Sequence, residues 1–300
     1  MNKLDKVIST AKKLIDLPYN KFNLENYYSV LLNNNIPVFT VETEQNQPIK
    51  LMSGNNFYSR IVTTSNLHSN IKTKKRIFIV GKGVLFDSGG LDLKTRGMED
   101  MSNDKAGMII ALTVANYLKG NVIAYCPVTT NFVQTSKITP GDEIKIGKKT
   151  VKVTNTDAEG RLILAEAITK INASKNDIII TLATLTGCVA YAIGDKATGV
   201  FSPNSDLMKK YAEASYEAGE LAWGLPLWRH YQKAHYNKKV IQNSIKEIKD
   251  GATEGAMFIK QFIPFPENWV HLDIAYSSFT KDKANGTPIK SLINFIRRLQ

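Results

Sequence analysis

The sequence predicts an α/β protein, an α/β/α sandwich around a mixed, largely parallel central sheet. Three observations carry that expectation. From residue 76 onward, short apolar runs of the buried-strand kind alternate with helical patterns. One stretch, EIKIGKKTVKV (143–153), alternates apolar and polar residues about Gly147 and Lys148, as a hairpin does. The two richest polar clusters, 82–94 and 155–161, each follow a strand, where open α/β sheets place their sites.

The elements follow in order. Residues 3–16 carry Leu4, Val7, Ile8, Ala11, Leu14 and Ile15 at helical spacing, and Pro18 stops that helix. A second helix is expected over 24–33. Residues 43–75 are polar and weakly patterned, with room for one or two edge strands. RIFIV (76–80), NVIAYCPV (121–128), DIIITLATL (177–185) and WVHLDIAY (269–276) read as buried strands. KAGMIIALTVANYL (105–118), RLILAEAITKI (161–171), DLMKKYAEASYEAGE (206–220) and PIKSLINFIRRL (288–299) read as helices.

Composition bounds the function. The 300 residues are 43% hydrophobic and 22% charged, enough for a substantial core. The net charge is +12, from 39 basic and 27 acidic residues. A nucleic-acid module is one reading of that charge. The lysines are scattered, however, so solubility charge explains them better. The densest group, Lys72, Lys74, Lys75 and Arg76, fits a solvated entry loop, and Lys238 with Lys239 is too short for a charge block. Two cysteines, Cys126 and Cys188, lie in apolar stretches with no CxxC partner, which argues against a disulfide framework. The N-terminal MNKLDKVIST has no apolar signal core, and no stretch of eighteen apolar residues exists. A cytoplasmic location, with no membrane, is expected.

Chemistry concentrates in three clusters. GKGVLFDSGGLDLK (81–94) holds Lys82, Asp87 and Lys94 among four glycines that let the backbone turn tightly. A phosphate loop is disfavoured, since GxxxxGK[ST] is absent. A plain structural turn explains the glycines but not the lysines placed beside acids. MEDMSNDKAG (98–107) puts Asp104 at a helix start, where capping is the bland explanation. NTDAEGRLILAEA (155–167) sets Asp157, Glu159 and Arg161 on alternate positions, which share a face if the segment is extended. An ordinary Glu–Arg surface pair is the alternative there. Together Asp87, Asp104, Asp157 and Glu159 form four acids at one sheet edge, and four ionised carboxylates need a cation. Lys94 and Arg161 help, but divalent metals fit better. The four histidines, His68, His230, His235 and His271, form no HExxH, which disfavours a histidine-type zinc site. Carboxylates suit a two-metal site instead.

NTDAEGRLILAEA, with GKGVLFDSGG and TLATLTG (181–187), closely resembles the leucine aminopeptidase family, the cytosolic two-metal aminopeptidases. The likeness spans about 75–300 and includes LPLW (225–228), HLDIA (271–275) and GTPIKSLINF (286–295). It implies a catalytic domain over 75–300, preceded by connector helices and a poorly patterned segment over 1–74. It implies two divalent ions, Zn²⁺ or Mn²⁺, held by Lys82, Asp87, Asp104, Asp157 and Glu159. Lys94 would polarise the scissile carbonyl, and Arg161 would hold a bicarbonate ion as general base. Met101, Thr184, Gly187 and Ala275 would line the pocket for the first side chain; plain core is the alternative for such apolar positions. The implied activity is removal of N-terminal residues from peptides by a metal-bridged hydroxide, in a homo-hexamer.

The chain departs from the family pattern in places. Only about seventy residues precede the first motif, so the family's extra N-terminal domain is expected to be absent or reduced. The Lys94–Asp104 spacing is one residue short, and Lys105-Ala106-Gly107 stands where Met-Gly-Gly is usual. Leu85 replaces a threonine, and Tyr276 replaces a glycine near the pocket. These departures motivate the alternative of a structural or binding protein that keeps the fold without the activity. Retention of all seven ionisable positions argues for the enzyme.

Overall fold

The computed structural model describes residues 2–64, 75–237, 240–246 and 250–300. His68, Lys72, Lys74, Lys238 and Lys239 lie outside the described residues. Helix α1 (Lys3–Ile15) starts with a capping box in which the Asn2 side chain accepts from the Asp5 amide. It is followed by α2 (Tyr27–Asn33), strand β1 (Phe39–Val41), the one-turn α3 (Pro48–Met52) and β2 (Arg60–Thr63). Next come β3 (Ile77–Gly81), β4 (Gly83–Asp87), a 3₁₀ helix over Met98–Lys105, and α4 (Ala106–Leu118). Then β5 (Val122–Asn131), the hairpin β6 (Glu143–Ile146) and β7 (Lys149–Lys152), α5 (Glu159–Thr169) and β8 (Ile178–Ala183) lead into the second half. That half holds α6 (Val189–Ile193), β9 (Thr198–Phe201), α7 (Ser205–Ala218), β10 (Ala222–Gly224), α8 (Arg229–His235), β11 (Tyr236–Asn237), β12 (Val240–Gln242), α9 (Gly251–Lys260), β13 (Trp269–Asp273) and α10 (Ile289–Leu299).

The central sheet runs β1-β2-β5-β3-β8-β13-β9-β10, with β4 also on β5. β5, β3, β8 and β13 are mutually parallel; β1 pairs antiparallel with β2, β2 with β5 and β9 with β13, while β10 runs parallel to β9. Period-two burial divides the core into two layers. Ile77 and Ile79 of β3, with Ile178, Ile180 and Leu182 of β8, pack with α1, α4, α7 and α10. Phe78, Val80 and Ile179 face the other way, against α3, α5 and α9. Helices therefore cover both faces, which is the α/β/α arrangement.

The described part of segment 2–64 is built into this body. Ala11, Leu14 and Ile15 of α1 are buried in the first layer, and β1 and β2 extend the central sheet. The hairpin forms, but it belongs to a separate four-stranded sheet, β11-β12-β7-β6. The loop carrying Asp157 thus starts from this small sheet, not from a central strand. Strand β4, hidden among the glycines of 81–94, and the short β9 and β10 go beyond the elements expected from the sequence.

Candidate metal centre

Four turns at one end of the sheet deliver the acids. Lys82 sits in the break between β3 and β4; its backbone N–H donates to the Leu182 carbonyl (2.9 Å), and its carbonyl accepts from Met108 (2.7 Å). Asp87 closes β4. Asp104 is the penultimate residue of the 3₁₀ helix. Glu159 opens α5. One ligand atom each from Asp87, Asp104 and Glu159 lies within 4.8 Å of the others, and all three residues are buried.

Lysines hold this cluster together. Lys82 Nζ is 2.7 Å from Asp104 Oδ2 and 2.7 Å from Glu159 Oε1, and it donates to the Thr184 carbonyl at 3.0 Å. Lys94 Nζ is 2.8 Å from Asp87 Oδ2 and also pairs with Asp157. Burial alone pushes Lys82 down, but Asp104, Glu159 and Asp87 outweigh it and hold the ammonium above the ordinary lysine range. Lys94 is held up in the same way, against its burial, by Asp87, Glu159 and Asp157. Burial, with Glu159 and Asp87 beside it, raises Asp157 to about 7. Burial likewise raises Asp104, and Lys82 only partly offsets this.

The donor set fits divalent cations. Asp104 Oδ2 has no hydrogen bond of good geometry, only the Lys82 ammonium in ionic contact. Its other oxygen accepts from the Thr184 hydroxyl. Asp104 does not cap α4: that helix has no side-chain cap, and Lys105 occupies the cap position. Asp87 is oriented by the Gly89 amide (2.9 Å) and the Asn131 side-chain amide (2.8 Å). Gly89 has φ +90°, which favours glycine, and an added Cβ would lie 2.5 Å from the Asp92 carbonyl.

Asp157 lies in a turn and Glu159 opens α5, so the two do not share an extended strand. Glu159 and Arg161 both lie in the first turn of α5, about 200° apart around its axis. Their side chains diverge. Glu159 meets Lys82, whereas Arg161 Nη1 donates to the Asn243 carbonyl (2.7 Å) and pairs with Glu254. The alternation that suggests a common face is overridden because the helix begins two residues earlier than the pattern predicts.

A cavity of about 710 Å³ opens over the cluster. Lys82, Asp87, Lys94, Asp104, Asp157 and Glu159 line it, and so do Met101, Thr184, Gly187 and Ala275. Arg161 is not among the lining residues. Tyr276 narrows the wall: a Cβ on Gly187 would stand 3.8 Å from the Tyr276 hydroxyl. Several supporting residues escape sequence reasoning. Asn131 joins Asp87 to the Thr156 carbonyl (3.0 Å). Asp92 accepts from the Thr156 amide at 2.7 Å. Asn243 accepts from the amides of Thr154 (2.7 Å) and Asn155 (3.2 Å) and donates to the Asn155 carbonyl at 2.7 Å. Only the position of Asn131 at the end of an apolar strand gives a signal for any of them.

The chain is similar to known proteins over most of its length. The catalytic-domain profile of the cytosol aminopeptidase family matches residues 11–293. A probable cytosol aminopeptidase of Chloroherpeton thalassium is 40% identical over 218 residues, 68% of this chain and 42% of that protein. The cytosol aminopeptidase of Xenopus tropicalis is 37% identical over 245 residues, 74% of this chain and 46% of that protein. That of Homo sapiens is 37% identical over 239 residues, with the same coverage of 74% and 46%. The chain thus spans less than half the length of these curated relatives. In fold it is similar to the bottromycin maturation enzyme BotP, at a TM-score of 0.83 and 23% identity, covering 98% of this chain and 69% of that one. Match length and identity together place this chain in the cytosol aminopeptidase family, within that family's catalytic domain.

Proposed function

We propose that this protein is a metal-dependent aminopeptidase that removes the N-terminal residue from peptides, of the leucyl type. The observation that carries this reading is the convergence of Asp87, Asp104 and Glu159 within 4.8 Å of one another, lining a cavity large enough for a peptide end. Two divalent cations, Zn²⁺ or Mn²⁺, held by Asp87, Asp104, Asp157, Glu159 and a neutral Lys82, would supply Lewis acidity and water activation. The chain's own groups do the rest. The acidic lining attracts a free amino terminus. Lys94, which reaches the cavity beside Asp87 and Asp157, donates toward the carbonyl oxygen as negative charge develops there. Met101, Thr184, Gly187 and Ala275 receive the first side chain, and Tyr276 limits its size.

Bicarbonate at Arg161 does not fit this arrangement. The guanidinium already pairs with Glu254 and lies off the cavity wall, so no step is assigned to that anion. The catalytic unit, expected over 75–300, draws in α1, β1 and β2 as well. A homo-hexamer is the assembly proposed here, and Leu221 and Trp223, 62% and 67% exposed by the β10 edge, offer apolar surface for a contact between copies. Among the described residues no helix is long and apolar enough to cross a membrane.

The test is hydrolysis. The full chain loaded with Mn²⁺ or Zn²⁺ releases leucine from a leucyl amide, and Asp157→Ala or Glu159→Ala abolishes release. Metal-loaded protein that turns over no member of a broad peptide panel overturns the reading.

A further inference from the structure

A buried carboxylate occupies the Arg161 guanidinium, two residues along α5 from Glu159. Glu254, on the first turn of α9, has its side chain 4% exposed, and that of Arg161 is 7% exposed. Glu254 Oε2 pairs with Arg161 Nη1, and the same nitrogen donates to the Asn243 carbonyl at 2.7 Å. Glu254 Oε1 lies 3.5 Å from His235 Nε2 and makes no hydrogen bond. Both His235 nitrogens face carbonyl oxygens, of Gln242 at 2.8 Å and Glu254 at 3.1 Å. Burial holds His235 below the usual histidine range, against the pull of Glu254 and of the two carbonyls. The space around the guanidinium is filled as well. A Cβ on Gly255 would lie 3.2 Å from Arg161 Nη2.

We infer that Glu254 is this protein's built-in counter-anion for Arg161, and that the protein neither binds nor needs an external oxyanion there. Two negative groups cannot share one buried guanidinium without an uncompensated charge. A small anion such as bicarbonate would have to displace a tethered carboxylate that is already in place, at an effective concentration free solute does not reach. Arg161 becomes a positioning residue. Its contact to Asn243 braces the residue that holds the 154–158 turn, and so fixes Asp157 and Glu159 from behind. Glu254 keeps Arg161 aimed at Asn243.

The inference deepens the aminopeptidase reading at the same site and rests on it only for its activity arm. The full chain is stripped of carbonate, loaded with Mn²⁺ and titrated with ¹³C-bicarbonate, reading the NMR linewidth and, in parallel, leucyl amide hydrolysis. The wild type shows no saturable, Arg161-dependent broadening and no stimulation. Glu254→Ala vacates the clamp, so it binds bicarbonate saturably, and bicarbonate restores at least part of any lost rate. Glu254→Gln keeps the shape without the charge, guards against a folding failure in Glu254→Ala, and gives a weaker but still saturable gain of anion binding. Saturable broadening in the wild type that is lost in Arg161→Met overturns the proposal, as does absence of anion binding in both folded Glu254 variants. If no variant hydrolyses anything, the linewidth arm still decides this inference, while the aminopeptidase reading alone fails.

Discussion

Lys82 Nζ lies 2.7 Å from Glu159 Oε1, and the two residues come from opposite ends of the motif set, one in the break between two strands and one at a helix start. The ammonium stands between Glu159 and Asp104, where a cation is needed to offset buried carboxylates. A protonated lysine thus stabilises the metal-free protein, and a divalent ion must compete with its proton.

Lys82→Met should therefore destabilise the metal-free protein strongly, by about 3–5 kcal/mol, the usual cost of leaving a buried charge unpaired. Excess Mn²⁺ should recover part of that loss, because the ion takes over the charge. Thermal unfolding with chelator and with metal measures both effects. An unchanged midpoint in chelator removes Lys82 from this role.

Gly160→Ala should perturb the site without unfolding the chain. Alanine favours the helix by about 1 kcal/mol over glycine. The new Cβ, however, would sit 2.7 Å from Lys82 Cε and 2.9 Å from its Nζ, so the lysine would have to shift toward the cavity and away from Asp104 and Glu159. Metal affinity should fall about tenfold or more, as when groups that orient ligands are disturbed. Equilibrium dialysis reads the affinity, and circular dichroism checks the fold.

Metal removal should lower the unfolding temperature without abolishing the fold, since Lys82 and Lys94 neutralise the acids when no ion is bound. At a hundredfold excess over the dissociation constant, a bound ion adds about 2.7 kcal/mol. Calorimetry over a Mn²⁺ series should show a midpoint that rises with concentration. Asp87→Asn should flatten that rise.

Glu166 gives a pH signature away from the site. It is fully buried, accepts from the Ile49 amide at 2.8 Å and from the Thr43 hydroxyl, and ties the 43–49 segment to α5. Burial raises its carboxyl from 4.5 to about 8. Between those values the folded state keeps a proton that the unfolded chain has lost. The stability it contributes is complete below about 4.5 and is lost as pH rises through about 8. Wild-type unfolding temperature should fall across this window, and Glu166→Gln should fall less. Parallel pH profiles for the two proteins would disprove it.

Lys105 anchors the Asp104 turn to the N-terminal helix. Its buried Nζ donates to the carbonyls of Ile15 (2.9 Å), Leu17 (2.8 Å) and Ser102. Lys105→Met leaves three carbonyls without this donor, each costing about 1–3 kcal/mol if it stays dry. Hydrogen exchange should speed up in α1 and in the 98–105 turn more than in β8. Uniform exchange changes would argue against a local anchor.

Much of the fold was legible because it depends on local periodicity. Apolar runs as strong as those of β3, β8 and α4 fit one kind of element each, and the observed boundaries of α1 and α10 differ from the expected ones by a single residue. The short pieces were hidden. β4 lies inside a glycine-rich turn, and β9 and β10 are only four and three residues long. Their pairing comes from long-range contacts that no local window contains.

At the site, the chain's own order of residues determined which groups are available: five metal-ligand candidates and Lys94, each in a motif tight enough to read. Tertiary structure alone decided how their charges are shared. Lys82 faces Asp104 and Glu159, Lys94 faces Asp87 and Asp157, and Arg161 turns away to Glu254, ninety-three positions along the chain. The reason is physical. Chemical identity is a property of single residues, whereas the partner of a buried charge depends on which distant segment folding packs against it, and on whether the backbone beside it is strand or helix.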